Sequence, residues 1–181
     1  MSGHNKWSQI KNKKAVTDGK KSKIFSKHAR FITMESKKAG GNLSSPGLLA
    51  AIERAKKDSM PKDNIDRAVA KGKGSEGGTM EEVTYEAFGP GGAAILITAV
   101  TDNNNRTAPE IRLIFTKAGL TLGTPGSASW AFTKTEEGYV PQNPMELSDA
   151  DGEKLANLIE ALEDHDDVQD VYTAADSKDE V

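Results

Sequence analysis

The sequence predicts an α+β protein: a small three-helix N-terminal domain, then a ferredoxin-like split β-α-β-β-α-β domain with an extra N-terminal hairpin. Two observations carry this. Apolar residues recur at helical spacing through the first 71 residues, then change to alternation and short apolar runs beyond a glycine-rich stretch. The charge changes at the same place. Residues 1–75 hold 18 Lys+Arg against 6 Asp+Glu, a net of +12, and the remaining 106 a net of −15, which hides both halves in a total of −3. A cationic block of this density is the footprint of a polyanion-binding surface.

The elements follow in order. Residues 1–20 are polar and Lys-rich, with Trp7 and Ile10 as their large apolar side chains. From Lys21 a helical period sets Ile24, Phe25, His28, Phe31 and Ile32 on one face, with Lys23, Lys27 and Arg30 at its edges, and Gly40-Gly41 stops it. Ser45-Pro46 supplies a cap and a first-turn proline for a helix stacking Leu48, Leu49, Ile52 and Ala55. A third helix follows Met60-Pro61, buries Ile65, Ala68 and Val69, and is expected to end at Gly72. Residues 72–79 read as a flexible linker between a basic domain at 1–71 and an acidic one at 80–175. Residues 176–181 read as a disordered tail.

In the second domain Val83–Phe88, a Gly89-Pro90-Gly91-Gly92 turn and Ala93–Val100 form the extra hairpin and the first sandwich strand. Thr107 and Glu110 match a capping box for a helix with Ile111, Ile114, Phe115 and Ala118 on one face, ended by Gly119. Ala128–Lys134 and Gly138–Leu147 are strand candidates. A second helix repeats the spacing with Leu155, Leu158, Ile159 and Leu162, and Val168–Thr173 closes as a strand.

Composition excludes several function classes. There is no cysteine, hence no disulfide, thiolate metal site or cysteine nucleophile. No apolar run approaches the roughly 20 residues that span a bilayer, and the basic N-terminus lacks the apolar stretch of a secretory signal. A cytoplasmic protein is expected. Catalytic templates fail: Lys71–Ser75 lacks the upstream glycine of a Walker loop, and Gly89–Gly92 precedes a strand instead of following one. His4, His28 and His165 are the only histidines and no Gly-x-Ser-x-Gly elbow occurs, so an enzyme is not expected. No cofactor and no metal are expected either.

The nucleic-acid-binding candidates are Lys6, Trp7, Lys11, Lys13, Lys14, Lys20, Lys21, Lys23, Lys27 and Arg30, opposed in that span only by Asp18. Lysine in place of arginine points to phosphate neutralisation, since bidentate guanine reading favours arginine. Shape or backbone recognition should therefore dominate. Trp7 either stacks on a base or pins the N-terminal arm to the helices. Asn103, Asn105, Arg106 and Thr107, where a strand meets a helix N-terminus, suit a secondary anion or RNA contact or simply satisfy turn and cap geometry. Glu163-Asp164-His165-Asp166-Asp167 lacks the spaced ligands of a calcium loop and reads as a solvated helix end.

These residues resemble a known family. Gly3-His4-Asn5-Lys6-Trp7, Lys23-Ile24-Phe25-Ser26-Lys27, Met60-Pro61-Lys62-Asp63-Asn64-Ile65, Gly89-Pro90-Gly91-Gly92 and Thr101-Asp102-Asn103 with Asn105-Arg106-Thr107 are similar to the YebC/PmpR pattern. So are Gly126-Ser127 with Trp130 and Phe132, and Leu158–Asp164 through Val168-Gln169 and Val171-Tyr172. The resemblance implies a helical N-terminal domain, α/β domains and a role as a DNA-binding transcriptional regulator. Its mitochondrial relatives are translational activators of cytochrome c oxidase, thought to act at the ribosome. Members of the family carry a third α/β domain between the strand ending near Phe132 and the acidic helix, where this chain has only Thr133–Pro144. The family's arginines near the second helix are also replaced, around Pro46-Gly47-Leu48-Leu49.

The expected function is a non-enzymatic nucleic-acid-binding regulator that grips phosphates with its Lys-rich N-terminal domain. The partner is DNA or ribosomal RNA, and the α/β domain offers a surface for a homodimer. A protein-interaction or small-ligand module without nucleic-acid binding is the reading from another class.

Overall fold

The computed structural model describes residues 18–74 and 79–176. Lys6, Trp7, Lys11, Lys13 and Lys14 lie outside the described residues, as do 75–78 of the expected linker and 177–181 of the expected tail. The chain forms two compact units: one holds the described residues up to Glu82 together with Val100–Asn103, and the other holds Val83–Ala99 and the described residues from Asn104 on.

The first unit holds α1 (Asp18–Lys38), α2 (Pro46–Lys57) and α3 (Lys62–Lys73). Asp18 in the first turn of α1 and Lys37 and Lys38 in its last complement the helix dipole. Ile32, Leu48, Ala51, Ala55, Met60, Ile65, Ala68 and Val69 make the core. Leu49 and Gly72 depart from the expected pattern. Leu49 is 47% exposed, because neighbouring residues on a helix point about 100° apart and the buried stripe of α2 is Leu48, Ala51 and Ala55. Gly72 does not end α3; the helix runs on to Lys73 and Gly74 caps it. Gly72 is buried where α1 crosses: a Cβ there would meet the Thr33 carbonyl oxygen at 2.5 Å and Ser36 Cβ at 2.6 Å. The same seam satisfies its buried hydroxyls. Ser36 donates to the Val69 carbonyl at 2.8 Å, and Thr33 shares its proton between Ala29 (2.7 Å) and Ala68 (3.2 Å).

From Glu81 onward the elements are β1 (Glu81–Phe88), β2 (Ala94–Thr101), α4 (Asn104–Lys117), β3 (Phe132–Thr135), β4 (Gly138–Pro141), α5 (Asp149–Glu163) and β5 (Val168–Thr173). The α+β class and the expected order of elements hold. The main sheet runs β1-β2-β5, with β2 and β5 antiparallel through Ile95↔Thr173 and Ile97↔Val171. All eight residues of β2 are buried because both faces of the sheet are covered. Ile95, Ile97 and Ala99 face Ile111 and Phe115 of α4 and Leu155, Leu158, Ile159 and Leu162 of α5. Ala94 and Leu96 join Ala128, Phe132 and Ala174 on the other side.

Strand pairing differs from a single four-stranded split sheet. β3 and β4 make their own antiparallel pair, with Phe132↔Pro141 and Thr135↔Gly138. The reason is a competition for an edge: β1 occupies the place beside β2 that a split sandwich gives to its central hairpin. Both strands are also shorter than expected, since Ser129–Ala131 is a 3-10 turn and β4 ends at Pro141. α4 starts three residues before the expected cap. Thr107 lies inside its first turns, fully buried, and its hydroxyl is directed to Asp167 instead of to the helix end. Gly119, with φ +74°, ends α4 as expected. Ser148 caps α5 by accepting from the Asp151 N–H.

Candidate nucleic-acid interface

Five of the proposed phosphate contacts are placed on α1. Lys20 and Lys21 are exposed; Lys23, Lys27 and Arg30 are half-buried, and the Arg30 guanidinium donates to the Val100 carbonyl at 3.4 Å. Lys20, Lys23, Lys27 and Arg30 follow one another by three or four residues, so they form one stripe about 15 Å long.

Beside that stripe, α1 and α3 enclose a groove of about 480 Å³. Arg30 from α1 and Arg67 and Lys71 from α3 line it, with Ser26 and Asn64, and no carboxylate does among the described residues. Arg67 donates to Asn64 Oδ1 one turn earlier, which fixes the guanidinium fork. The other side of α3 differs: its groove, about 650 Å³, is lined by Leu49, Ile65 and Val69 with charges of both signs. Arg67, Lys71 and Asn64 were missed as site residues by sequence reasoning. The signal was present: with Ile65, Ala68 and Val69 buried, Asn64, Arg67 and Lys71 recur by three and four residues on one flank of the same helix.

Asn103, just before α4, and Asn105 and Arg106 in its first turn are exposed, whereas Thr107 is buried. Asn103 N–H donates to Thr101 Oγ1 at 2.9 Å, and Tyr85 donates to Asn104 Oδ1 at 2.5 Å. Arg106 bridges Asp167 (2.8 Å) and Glu110 (3.2 Å), and Thr107 donates to the same Asp167 oxygen at 2.8 Å. Asp167 is therefore not part of a solvated helix end; it is 1% exposed, held there by Arg106 and Thr107. Its N–H donates to His165 Nδ1 at 3.1 Å, so the ring proton sits on Nε2, which faces Glu110 at 2.8 Å. Glu110, His165 and Asp167 bring three metal-type donor atoms within 4.8 Å of one another, but these atoms are already engaged in the internal network.

A further polar device was not foreseen. Glu86, between the core residues Tyr85 and Ala87 of β1, points to the opposite sheet face and is 8% exposed. Its carboxylate accepts from the N–H groups of Gly126, Ala128 and Ser129, each at 2.8 Å. Burial pushes the Glu86 carboxyl up, but these backbone bonds outweigh it and hold the group below its usual value. The turn so anchored presents Trp130, 65% exposed, with its indole N–H on the Ser127 carbonyl at 2.8 Å.

Residues 5–75 match the TACO1/YebC protein N-terminal domain, and residues 80–137 and 132–175 match the TACO1/YebC second and third domain. A probable transcriptional regulatory protein of Dictyoglomus thermophilum is 39% identical over 244 aligned positions, covering 100% of this chain and 98% of that protein. One from Thermotoga petrophila is 37% identical over 235 positions, covering 96% and 93%. The crystal structure of the conserved hypothetical protein Aq1575 from Aquifex aeolicus superposes with a TM-score of 0.82 at 31% identity, covering 96% of this chain and 97% of that one. An alignment of 244 positions against 181 residues leaves at least 63 positions of the Dictyoglomus protein without a counterpart here. The two matched stretches of the second-and-third-domain description meet at 132–137, in the β3–β4 hairpin.

Proposed function

The chain belongs to the TACO1/YebC family, and from that premise we propose that it is a non-enzymatic regulator of gene expression that binds nucleic acid through its Lys-rich N-terminal domain. The observation that carries this reading is the cationic surface of the first unit: the α1 stripe with the carboxylate-free groove beside it. Lysines neutralise phosphates without reading bases, so they supply affinity and register. The second unit, with most of the chain's carboxylates, is repelled by the same partner and is left for protein contacts, including a second copy of the chain. The names of the relatives favour a DNA-binding transcriptional regulator. A ribosomal-RNA-associated translation factor is the alternative, favoured by the scarcity of arginine in the basic half, which lowers base reading and leaves shape. Among the described residues no helix is long and apolar enough to cross a membrane.

Titrating duplex DNA and ribosomal RNA fragments against rising salt tests the proposal. For about five phosphate contacts, log affinity falls against log salt with a slope of about −4 to −5 on duplex DNA. A flat response, or affinity unchanged by deleting residues 1–23, overturns it. Co-sedimentation with ribosomes then separates the transcriptional from the translational reading, and analytical ultracentrifugation tests the dimer.

A further inference from the structure

The α1/α3 groove differs chemically from the lysine stripe next to it, and we infer that it is a pocket for one unpaired nucleotide of a single strand. This rests on the nucleic-acid-binding reading and deepens it. The buried Ala68 and the half-buried Phe25 and Ala29 give the groove an apolar floor. Thr33, which also lines it, has its hydroxyl committed to the Ala29 and Ala68 carbonyls. Above the floor stand Arg30, Arg67 and Lys71, with the Ser26 hydroxyl and the Asn64 amide.

A nucleotide presents the complementary set: a flat apolar base, hydrogen-bonding edges and a doubly oxygenated anion. Phe25 offers a ring for the base, Ser26 and Asn64 partners for its edge or the ribose, and the Arg67 fork a bidentate seat for the phosphate. A volume of about 480 Å³ falls within the few-hundred Å³ typical of small-ligand sites. Paired bases are excluded by geometry. Packed helix axes lie about 8–10 Å apart, so a duplex with its bases stacked between two backbones rides over the rim and cannot enter. The α1 lysines then take the flanking phosphates of the same strand. The groove thus selects single-stranded segments, whereas the stripe alone binds any polyanion.

The experiment uses the full chain and two fluorescently labelled probes, an oligouridylate strand and an RNA duplex of equal length, followed by anisotropy at fixed salt. Arg67→Lys keeps the charge and removes the fork; Phe25→Leu keeps apolar bulk and removes the ring. Each is expected to weaken single-strand binding about tenfold and to leave duplex binding within about twofold. Phe25→Tyr restores the wild-type value, and on an abasic strand Phe25→Leu has no effect. Circular dichroism melts check that each variant is folded, and Arg67→Lys, at an exposed position, keeps the test valid if Phe25→Leu is not. Wild-type single-strand affinity in the folded variants, or equal losses on both probes, overturns the pocket while leaving the salt-dependent binding intact. Failure of the wild-type chain to bind either RNA probe overturns the pocket, and failure on duplex DNA as well overturns the nucleic-acid reading itself.

Discussion

Replacing Glu86 by glutamine tests whether a buried carboxylate holds the Trp130 turn in place. The wild-type group accepts three backbone N–H bonds at 2.8 Å, two of them on one oxygen. A glutamine carbonyl can keep Ala128 and Ser129, but its amide then faces the Gly126 N–H, donor against donor. One bond is lost and two lose their charge. With charge-assisted bonds contributing about 1.5–3 kcal/mol and neutral ones about 1 kcal/mol, the gross loss is about 2.5–7 kcal/mol. Because the neutral amide avoids the cost of burying a charge, the net cost falls to the low end, about 2–3 kcal/mol at neutral pH. For a unit of roughly 100 residues this lowers the melting temperature by about 10–20 °C. Urea titration in a Trp7→Phe background follows Trp130 alone, since the chain has two tryptophans. The pH dependence carries a second check. The folded pKa of Glu86 lies below its usual value, so its contribution is fully present above the unfolded pKa of about 4.3 and is lost as pH falls through the folded value. The gap between wild type and Glu86→Gln should be constant from about pH 5 to 8 and close below about pH 4. A gap under about 0.5 kcal/mol at pH 7, or one that stays flat into acid, refutes the reasoning.

Three further outcomes are expected. Gly72→Ala should destabilise the helical unit by about 1–3 kcal/mol in a thermal melt, although the same change in an ordinary helix stabilises by about 1 kcal/mol; a raised melting temperature contradicts the close approach of α1. Changing Lys20, Lys23 and Lys27 to glutamine together should make the salt slope of duplex binding about 2–3 units shallower without lowering the melting temperature, and an unchanged slope removes α1 from the interface. Asp167→Asn should cost about 1–2 kcal/mol in chemical denaturation, the half-exposed Arg106 regaining water, with nucleic-acid affinity unaltered; an affinity loss above tenfold would instead place the 103–107 turn in the interface.

Helical period alone located α1, α2 and α3 because each buries a single stripe, and single stripes are visible as i, i+3, i+4 recurrence. It failed where two apolar neighbours competed for one stripe, at Leu48 and Leu49. It failed again where a glycine served contact instead of termination, at Gly72. The site divides in the same way. The α1 lysines are concentrated in sequence and needed no structure to be noticed, while Arg67 and Lys71 lie some forty residues away and become neighbours of Arg30 only when α3 packs along α1. Glu86 gave the weakest signal, one charge in an alternating strand. Its meaning depends on three N–H groups about forty residues downstream.

The amino-acid sequence by itself determined the α+β class, the order of elements, the opposed charges of the two halves and the family pattern, since all are properties of local period and composition. Tertiary structure decided what local rules leave open. It placed β1 at the sheet edge that β3 and β4 were expected to fill. It turned Thr107 and Asp167 from a cap and a solvated end into a buried pair, and it set an arginine fork beside an apolar floor between α1 and α3. In each case the outcome depends on which distant groups meet, and burial then makes an unmet hydrogen bond or an unfilled contact too costly to leave.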